Sequence, residues 1–555
     1  MKNYITALML GLSCSTLYAQ EFQAGLGDLN SQNLHQSVQL PDKSILSCGT
    51  TSGYGNAGGS CLVSRSNVIG DLLWQRVYTS ENGYEDLMDV TMSEDGTVFA
   101  AGYTLFNNGS DCDITVVSFL PDGSVAFAKS IGEFGYDAAE KIAATPDGGF
   151  VLFGYTKSFS PTNTRDCILM KCDASGAIEW TRGLGADTDA YGKSLRVTPE
   201  GNILFTFSFI PTSTGSMTSF LGVVSSAGEL LHSTHMSGGE DHDFIHGFAP
   251  YGDGYLVVGE TNNLSLGLMD GFVIMLDVNL NIEWQYQFGA QSFEHVLDVA
   301  VTADESIVLS GLSSSYGAGG LDIMLLQFLP DGSIPWINLF GGNDKDVVNS
   351  TIITHDDGFL LTGYSRSFTE SFSDGILIKT NERGDSPCNR TGSPDFEVYE
   401  GAFILEEFAS EWYVIEAVAE DWAITSVDTG ELAPNTMCSE GMVEDLDESV
   451  PDEVTENEVA LDVQSQEEAG FDFNAYPNPS EGLVQLVLPR METSGVLEIY
   501  SLTGTLITRK TIPAGFEGNY SLDLSALGNG VYLLHIPMND TYVSKRLTIQ
   551  SQFSD

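Results

Sequence analysis

A repeat of about 52 residues runs through most of this chain, and a repeat of that length leaves few folds open. Taking the glycine after each short apolar run gives Gly49, Gly102, Gly154, Phe207 in place of a glycine, Gly259, Gly311 and Gly363, spaced 52 or 53 residues apart. The aromatic or apolar residue after the preceding turn gives Trp74, Phe127, Trp180, Leu231, Trp284 and Trp336, spaced 51 to 53. Two anchors that share one period mark an array of structural units in the range of propellers and solenoids.

Within the unit the local signals are β. In the stretch from Leu329 to Tyr364, and just before it, DIMLLQF, IPWINLF, VVNSTII and FLLTGY are short runs of apolar, β-branched and aromatic residues. Pro-Asp-Gly and Asp-Asp-Gly turns separate them, where glycine supplies positive φ at little steric cost. Four strands per unit make a propeller blade. Helical solenoids would space their apolar residues near 3.6, and a parallel β-helix would have a shorter coil. The seventh unit ends at SPCN with no Trp strand, whereas Phe22 stands 52 residues before Trp74 in EFQAGLGD, which is similar to IEWTRGLGAD around Trp180. Glu21 to Gly25 is therefore predicted to supply the outer strand of the last blade and close the ring, removing edges that would template aggregation. The predicted fold is all-β, a seven-bladed β-propeller over 20–388 followed by a small C-terminal antiparallel β-sandwich. LPDGSIPW, FGGNDKD and DGFLLTGYS resemble the seven-bladed repeats of bacterial secreted proteins.

Residues 1–19 carry Lys2 and the apolar run YITALMLGLSCSTLYA, which reads as a secretory signal peptide. Cys14 raises a lipoprotein alternative that the preceding Gly-Leu-Ser fits poorly. No other stretch approaches the roughly 18 apolar residues of a membrane span. Against 77 Asp+Glu the chain has 22 Lys+Arg, a formal charge of −55, which disfavours nucleic acid and anionic membrane as partners.

Seven of the eight cysteines follow the signal, in an oxidising setting. Cys48 and Cys61, on adjacent strands, are one candidate disulfide, and Cys388 with Cys438 another. Cys112, Cys167 and Cys172 leave at least one thiol over, and none shows a zinc spacing. Four histidines crowd into HSTHMSGGEDHDFIH, where Asp241, His242 and His246 could make a metal site; loop decoration is the competing reading, since His232 and His235 point to opposite faces of a strand. Seventeen residues before each anchor stand Gln32, Glu85, Asp137, Ala190, His242, Glu294 and Asp346. Glu85, Asp137, Glu294 and Asp346 form a candidate cation ring at one mouth of the channel, able to hold Ca²⁺ through oxygen ligands. The alternative is a polar lining with no cofactor required.

No Lys or Arg occurs between Thr391 and Pro489. The first part, 389–439, is predicted as a small β extension docked on the last blade and stapled by Cys388 to Cys438. The acidic stretch 440–470 is predicted as a disordered spacer. In 471–555 the alternation in VLEIYS, with Thr503-Gly504 and Gly528-Asn529-Gly530 as hairpin turns, reads as the sandwich. Tyr476-Pro477-Asn478-Pro479 with Gly482, the hairpin Tyr500 to Thr505 with Gly504, Leu522 to Tyr532 with Gly530, and Lys545 to Ile549 resemble the type A C-terminal sorting domain of the type IX secretion system of Bacteroidetes. That resemblance implies export, contact of this domain with the secretion machinery, and a secreted or surface-attached product. The expected function is a non-enzymatic binding scaffold for a protein or glycan. A carbohydrate-active hydrolase or lyase is the alternative, with Glu85 and Asp137 as conceivable carboxylates; so few basic residues make a cationic pocket hard to assemble.

Overall fold

A computed structural model describes residues 21–27, 31–53, 59–80, 83–106, 111–185, 189–210, 218–237, 243–262, 268–369, 372–387, 390–391, 396–406, 412–422, 424–428 and 435–436, and, near the C-terminus, 474–476, 483–488, 495–501, 506–513, 516, 518–524, 530–538 and 541–549. The chain divides into two units, Met1–Leu446 and Asp447–Asp555. The signal peptide, the acidic spacer, and Cys388, Cys438, Asp241 and His242 lie outside the described residues.

Seven five-stranded sheets make up the first unit. Their innermost strands, in blades 1 to 7, are Gln32–Gln39, Tyr84–Met92, Asp137–Ala144, Tyr191–Val197, Asp243–Tyr251, Glu294–Val301 and Asp346–Ile353. Each blade continues outward through antiparallel neighbours, and the fourth strand of blade 7 is Phe22–Leu26, paired from Phe22↔Lys379 to Leu26↔Gly375. The ring thus closes through the N-terminal strand.

Both sequence anchors have a mechanical reason. The residue two places before each inner-strand bulge presses its carbonyl on the second strand: a β-carbon on Gly102 would stand 1.9 Å from the oxygen of Asp86, and one on Gly311 1.8 Å from that of His295. Blade 4 reverses the arrangement, with Gly192 opposite Phe207, so the glycine has moved across the pair. The aromatic anchor of one blade covers the tight turn of the next: a β-carbon on Gly123 would meet the Trp74 ring, on Gly176 the Phe127 ring, on Gly384 the Trp336 ring, and on Gly70 the Phe22 ring of the closing strand. Where blade 4 offers Leu231 instead, the facing turn of blade 5 carries Leu280 at φ 65°.

The segment after the propeller docks on every blade rather than on the last alone. It runs around the whole circumference, against the order of the blades, and adds the fifth strand to each. Arg390–Thr391 joins blade 6, Glu397–Glu400 blade 5, Ile404–Glu406 blade 4, Trp412–Val414 blade 3, Glu420–Asp421 blade 2, Thr425–Asp428 blade 1 and Asn435–Thr436 blade 7. Every fourth strand would otherwise present unpaired backbone groups, and this belt pairs with all of them. Its side chains also plug the grooves between blades: Phe403, Ile415 and Trp422 are buried, and Phe396 packs on the core shared by blades 5 and 6. Two belt tyrosines reach inward, Tyr399 Oη donating to Asp270 Oδ2 at 2.5 Å and Tyr413 Oη to Asp166 Oδ2 at 2.6 Å. Gly183 makes room for the second, since a β-carbon there would lie 2.2 Å from the Tyr413 ring.

The disulfide expected between Cys48 and Cys61 is not formed. The strands are adjacent, but Cys48 faces Val63 and Cys61 faces Thr50, so the two thiols are offset by two residues, free and buried. Burial pushes both thiols well above their ordinary range. Cys112, Cys167 and Cys172 are also free and buried.

The second unit is a small antiparallel sandwich. One sheet holds Asn474–Tyr476, Leu483–Leu488 and Gly518–Asp523; the other holds Leu506–Ile512, Gly495–Ser501, Gly530–Met538 and Thr541–Ile549. Between them lie Leu486, Leu497, Ile499, Ile512, Leu534 and Leu547. The strands flanking Thr503-Gly504 pair with each other as expected. Those flanking Gly528-Asn529-Gly530 do not: the first pairs with Leu483–Leu488, the second with Gly495–Ser501 and Thr541–Ile549, so this connection crosses from sheet to sheet. No helix among the described residues is long and apolar enough to cross a membrane.

Candidate functional site at the mouth of the central channel

Seven inner strands surround the propeller axis, and each carries a bulge at the same place. The register slips between Leu34 and Gln36, Leu87 and Asp89, Ala139 and Lys141, Gly192 and Ser194, Ile245 and Gly247, Val296 and Asp298, and Val348 and Ser350. The extra residues are His35, Met88, Glu140, Lys193, His246, Leu297 and Asn349, all half-buried, whereas the residue before each is buried. A bulge re-aims the side chain it leaves unpaired. Here it makes a collar of dissimilar side chains, several of which reach the next blade. Asn349 Nδ2 donates to Leu34 O at 2.7 Å, and His35 Nε2 lies 3.2 Å from Asp86 Oδ1. Deeper in the channel Arg196 of blade 4 reaches past blade 5 to Asp298 of blade 6, Nη2 to Oδ1 at 2.8 Å.

His246 does not join a metal cluster within the described residues. Its Nε2 stands 3.5 Å from Glu260 Oε1, and His295 Nδ1 contacts the other carboxylate oxygen. Burial works to raise the Glu260 carboxyl, but the two imidazoles outweigh it and hold it well below the usual range. Among the described residues no three His, Cys, Asp or Glu side chains come together as a metal site.

The carboxylates of the candidate cation ring are buried and hydrogen-bonded within their own blades and to the connections entering them. Asp137 accepts from Thr156 Oγ1 at 2.6 Å, Lys157 N at 3.1 Å and the Ser158 hydroxyl. Glu294 accepts from Ser313 Oγ at 2.9 Å and Ala290 N at 2.9 Å. Asp346 accepts from Ser365 and Ser367 hydroxyls and from Gly342 N at 2.8 Å; burial raises its carboxyl. Glu85 accepts from Ser80 N at 3.0 Å and Ser80 Oγ at 2.5 Å. Each ties the start of an inner strand to a neighbouring loop or strand end. Their oxygens are taken up by hydroxyls and amides.

What gathers at the mouth is aromatic and basic. The residue after the anchor glycine is Tyr103, Tyr155 and Tyr364 in blades 2, 3 and 7, half-buried in each case. Tyr84 and Tyr103 stack with centroids 6.1 Å apart. Arg165, on the loop after the second strand of blade 3, sets its guanidinium over Tyr136, Tyr155 and Tyr191, at 5.7, 4.9 and 5.7 Å from the ring centroids. Burial raises the hydroxyls of Tyr103 and Tyr155, so both remain protonated donors at neutral pH. Burial also raises the Glu140 carboxyl, with Lys193 and Lys141 pulling it back down. The tyrosines were visible in the GYT and GYS runs, and the bulge residues are fixed by the anchors. The convergence on Arg165 had no repeat signal, because only blade 3 carries it.

In the second unit, the sandwich places Tyr476, Gly530, Tyr532 and Lys545 on its strands; Pro477, Asn478, Pro479, Gly482 and Gly504 lie outside the described residues. Residues 474–550 match the secretion system C-terminal sorting domain. With this sorting domain the chain is exported, to the extracellular space or the cell surface, and the domain meets the type IX secretion machinery. No curated protein matches the chain. Among solved structures, Sqt1 from Chaetomium thermophilum is similar at 12% identity, TM-score 0.38, over 62% of this chain and 82% of that one. An α-L-arabinofuranosidase, Arb93A from Fusarium graminearum, is similar at 10% identity, TM-score 0.34, over 65% of this chain and 97% of that one. At these values nothing about function passes to this chain.

Proposed function

We propose that the protein is an exported, non-enzymatic binding scaffold whose working surface is the channel mouth. Support comes from one observation above the rest: half-buried tyrosines, histidines and an arginine collect there, rings with polar tips that bind well because they bury area at low entropic cost. The outer edges of the blades are already paired by the belt, so strand addition by a partner has no free fourth strand to use. The ring carboxylates already accept hydrogen bonds from hydroxyls and amides, and the reading needs no Ca²⁺. The apolar run in residues 1–19 and the sorting domain support a signal peptide and a source among the Bacteroidetes.

The hydrolase or lyase reading, for which the sequence offered Glu85 and Asp137, would turn instead to Glu140, whose raised carboxyl beside basic groups suits a general acid. One experiment separates the two. The full chain is screened on a glycan array and against extracellular proteins, and incubated with the same polysaccharides while reducing ends and unsaturated products are followed. Binding that is lost in a Tyr103→Ala, Tyr364→Ala variant, with no product released, is expected. Product formation abolished by Glu140→Gln would replace the scaffold with an enzyme.

A further inference from the structure

We propose that the sector of the mouth formed by blades 3 and 4 binds an acidic saccharide, with Arg165 receiving its carboxylate or sulfate. This rests on the binding reading above and names the ligand class for one part of the same surface. Arg165 is held in place without an ion pair among the described residues, although Glu140 lies near enough for the two charges to attract. Its backbone N–H donates to Asp189 Oδ1 at 2.9 Å, and its carbonyl accepts from Ala190 N at 2.8 Å, so the loop of blade 3 is tied to the loop entering blade 4. Three tyrosine rings then surround the guanidinium. Tyr191 Oη is its side-chain hydrogen-bond partner, at 3.5 Å, and no carboxylate among the described residues forms an ion pair with it.

Arg165 differs from the paired cations, Arg65 with Asp42, Lys129 with Asp421 and Arg196 with Asp298, and from Arg182, which lies over Trp180 but gives its N–H groups to the carbonyls of Gly228 and Thr181. Arg165 instead rests on ring faces, which orient its planar fork and leave the N–H groups able to meet an oxyanion two at a time. Lys193 and Lys141 lie around the neighbouring Glu140 and complete a basic sector. The net charge of −55 repels any anion at long range, but at physiological salt that field decays over about 8 Å, so the local arrangement decides.

The rings favour a saccharide over an acidic peptide. Tyr84 and Tyr103 continue the aromatic surface from blade 3 toward blade 1, half-buried, giving flat faces beside the anion receptor. A peptide strand would look for an open sheet edge, and the belt pairs the outer edge of every blade.

The test is calorimetric titration of the full chain with short oligogalacturonate, a sulfated chondroitin oligosaccharide, a neutral galactan oligosaccharide and poly-glutamate. At least one acidic oligosaccharide is expected to bind, and the neutral one not. Arg165→Met should weaken binding about 10- to 100-fold, the range for a lost charge-assisted bond. Arg165→Lys, which keeps charge but not the fork, should lose about tenfold. Both variants should melt close to the native protein, because the loop is tied through the Arg165 backbone rather than through its guanidinium. The proposal is overturned if neither acidic oligosaccharide binds, if neutral and acidic forms bind alike, if poly-glutamate binds as tightly, or if Arg165→Met binds as the native protein does. A neutral glycan or a protein that binds native and Arg165→Met chains equally, but not the Tyr103→Ala, Tyr364→Ala variant, would sink this assignment and leave the scaffold reading standing.

Discussion

Trp422→Ala should loosen the belt without unfolding the propeller. Trp422 is 9% exposed, its backbone N–H donates to Ala128 O at 3.0 Å, and its ring lies in the core between blades 1 and 2 with Tyr78, Val117, Phe119 and Ala128. Truncating a buried aromatic costs about 3–5 kcal/mol, and the site's place at the rim sets the expectation near about 3 kcal/mol. Little else holds this stretch. The belt strand on blade 2 is only Glu420–Asp421, and its ion pair, Lys129 Nζ to Asp421 Oδ1 at 2.6 Å, involves an Asp421 that is 91% exposed, a kind worth little. Local opening should therefore become cheaper by that amount while the inner strands keep their stability. Native-state hydrogen exchange reads this directly. Amides of Glu420–Asp421 and Thr425–Asp428 should lose about 100-fold in protection, the inner-strand amides should not change, and Val418→Ala, at 73% exposure, should have no effect. Unchanged protection in the belt would show that the tryptophan does not anchor it. Equal loss in the inner strands would show that the belt is not a separate cooperative unit.

Acid should weaken the fold through its turns. Asp95, Asp122, Asp173, Asp304 and Asp331 have carboxyls held below their ordinary value, first by the hydroxyl of Ser93, Ser124, Ser175, Thr302 and Ser333 respectively. A folded value below the unfolded one stabilises above the unfolded value and is lost as pH falls through the folded one, so the melting temperature should drop below about pH 4. Replacing Asp122, Asp173 and Asp331 by Asn should flatten that slope. Among the glycines, Gly311→Ala should cost at least about 2 kcal/mol, since its β-carbon would collide with the His295 carbonyl, whereas Gly148→Ala meets nothing within 4 Å and should cost about 1 kcal/mol for its positive φ. Urea midpoints of the two variants test the difference; equal shifts would refute the bulge-seating role of the anchor glycine.

The blades were legible because each performs the same steric task, and a task repeated seven times leaves a period. Phe22 could be assigned to blade 7 for that reason: it meets Gly70 as Trp74 meets Gly123. The acidic ring was legible in position but not in role. The signal that would have corrected it is a hydroxyl 19 residues downstream, as in Asp137 with Thr156, Glu294 with Ser313 and Asp346 with Ser365. The belt was not legible at all as a belt. Its strands are two to four residues long and are held mainly through backbone groups that any sequence carries, while its buried anchors, Phe403, Ile415 and Trp422, follow no fixed interval. Arg165 escaped notice because it occurs once, and the scarcity of basic residues suggested that none could be gathered.

The direction of the belt sets how it yields to force. Its last strand, Asn435–Thr436, clamps Phe22–Leu26 from the side opposite Asp374–Lys379, and the strands before it sit on blades 1, 2, 3, 4, 5 and 6 in turn. Tension applied at the C-terminal end of the belt would load these short pairings one after another, as in a zipper, rather than all together in shear. Each would release separately at low force, and the first to go would be the one that covers the joint where the ring is closed. A stretched chain should thus shed its outer strap blade by blade before any four-stranded blade is strained.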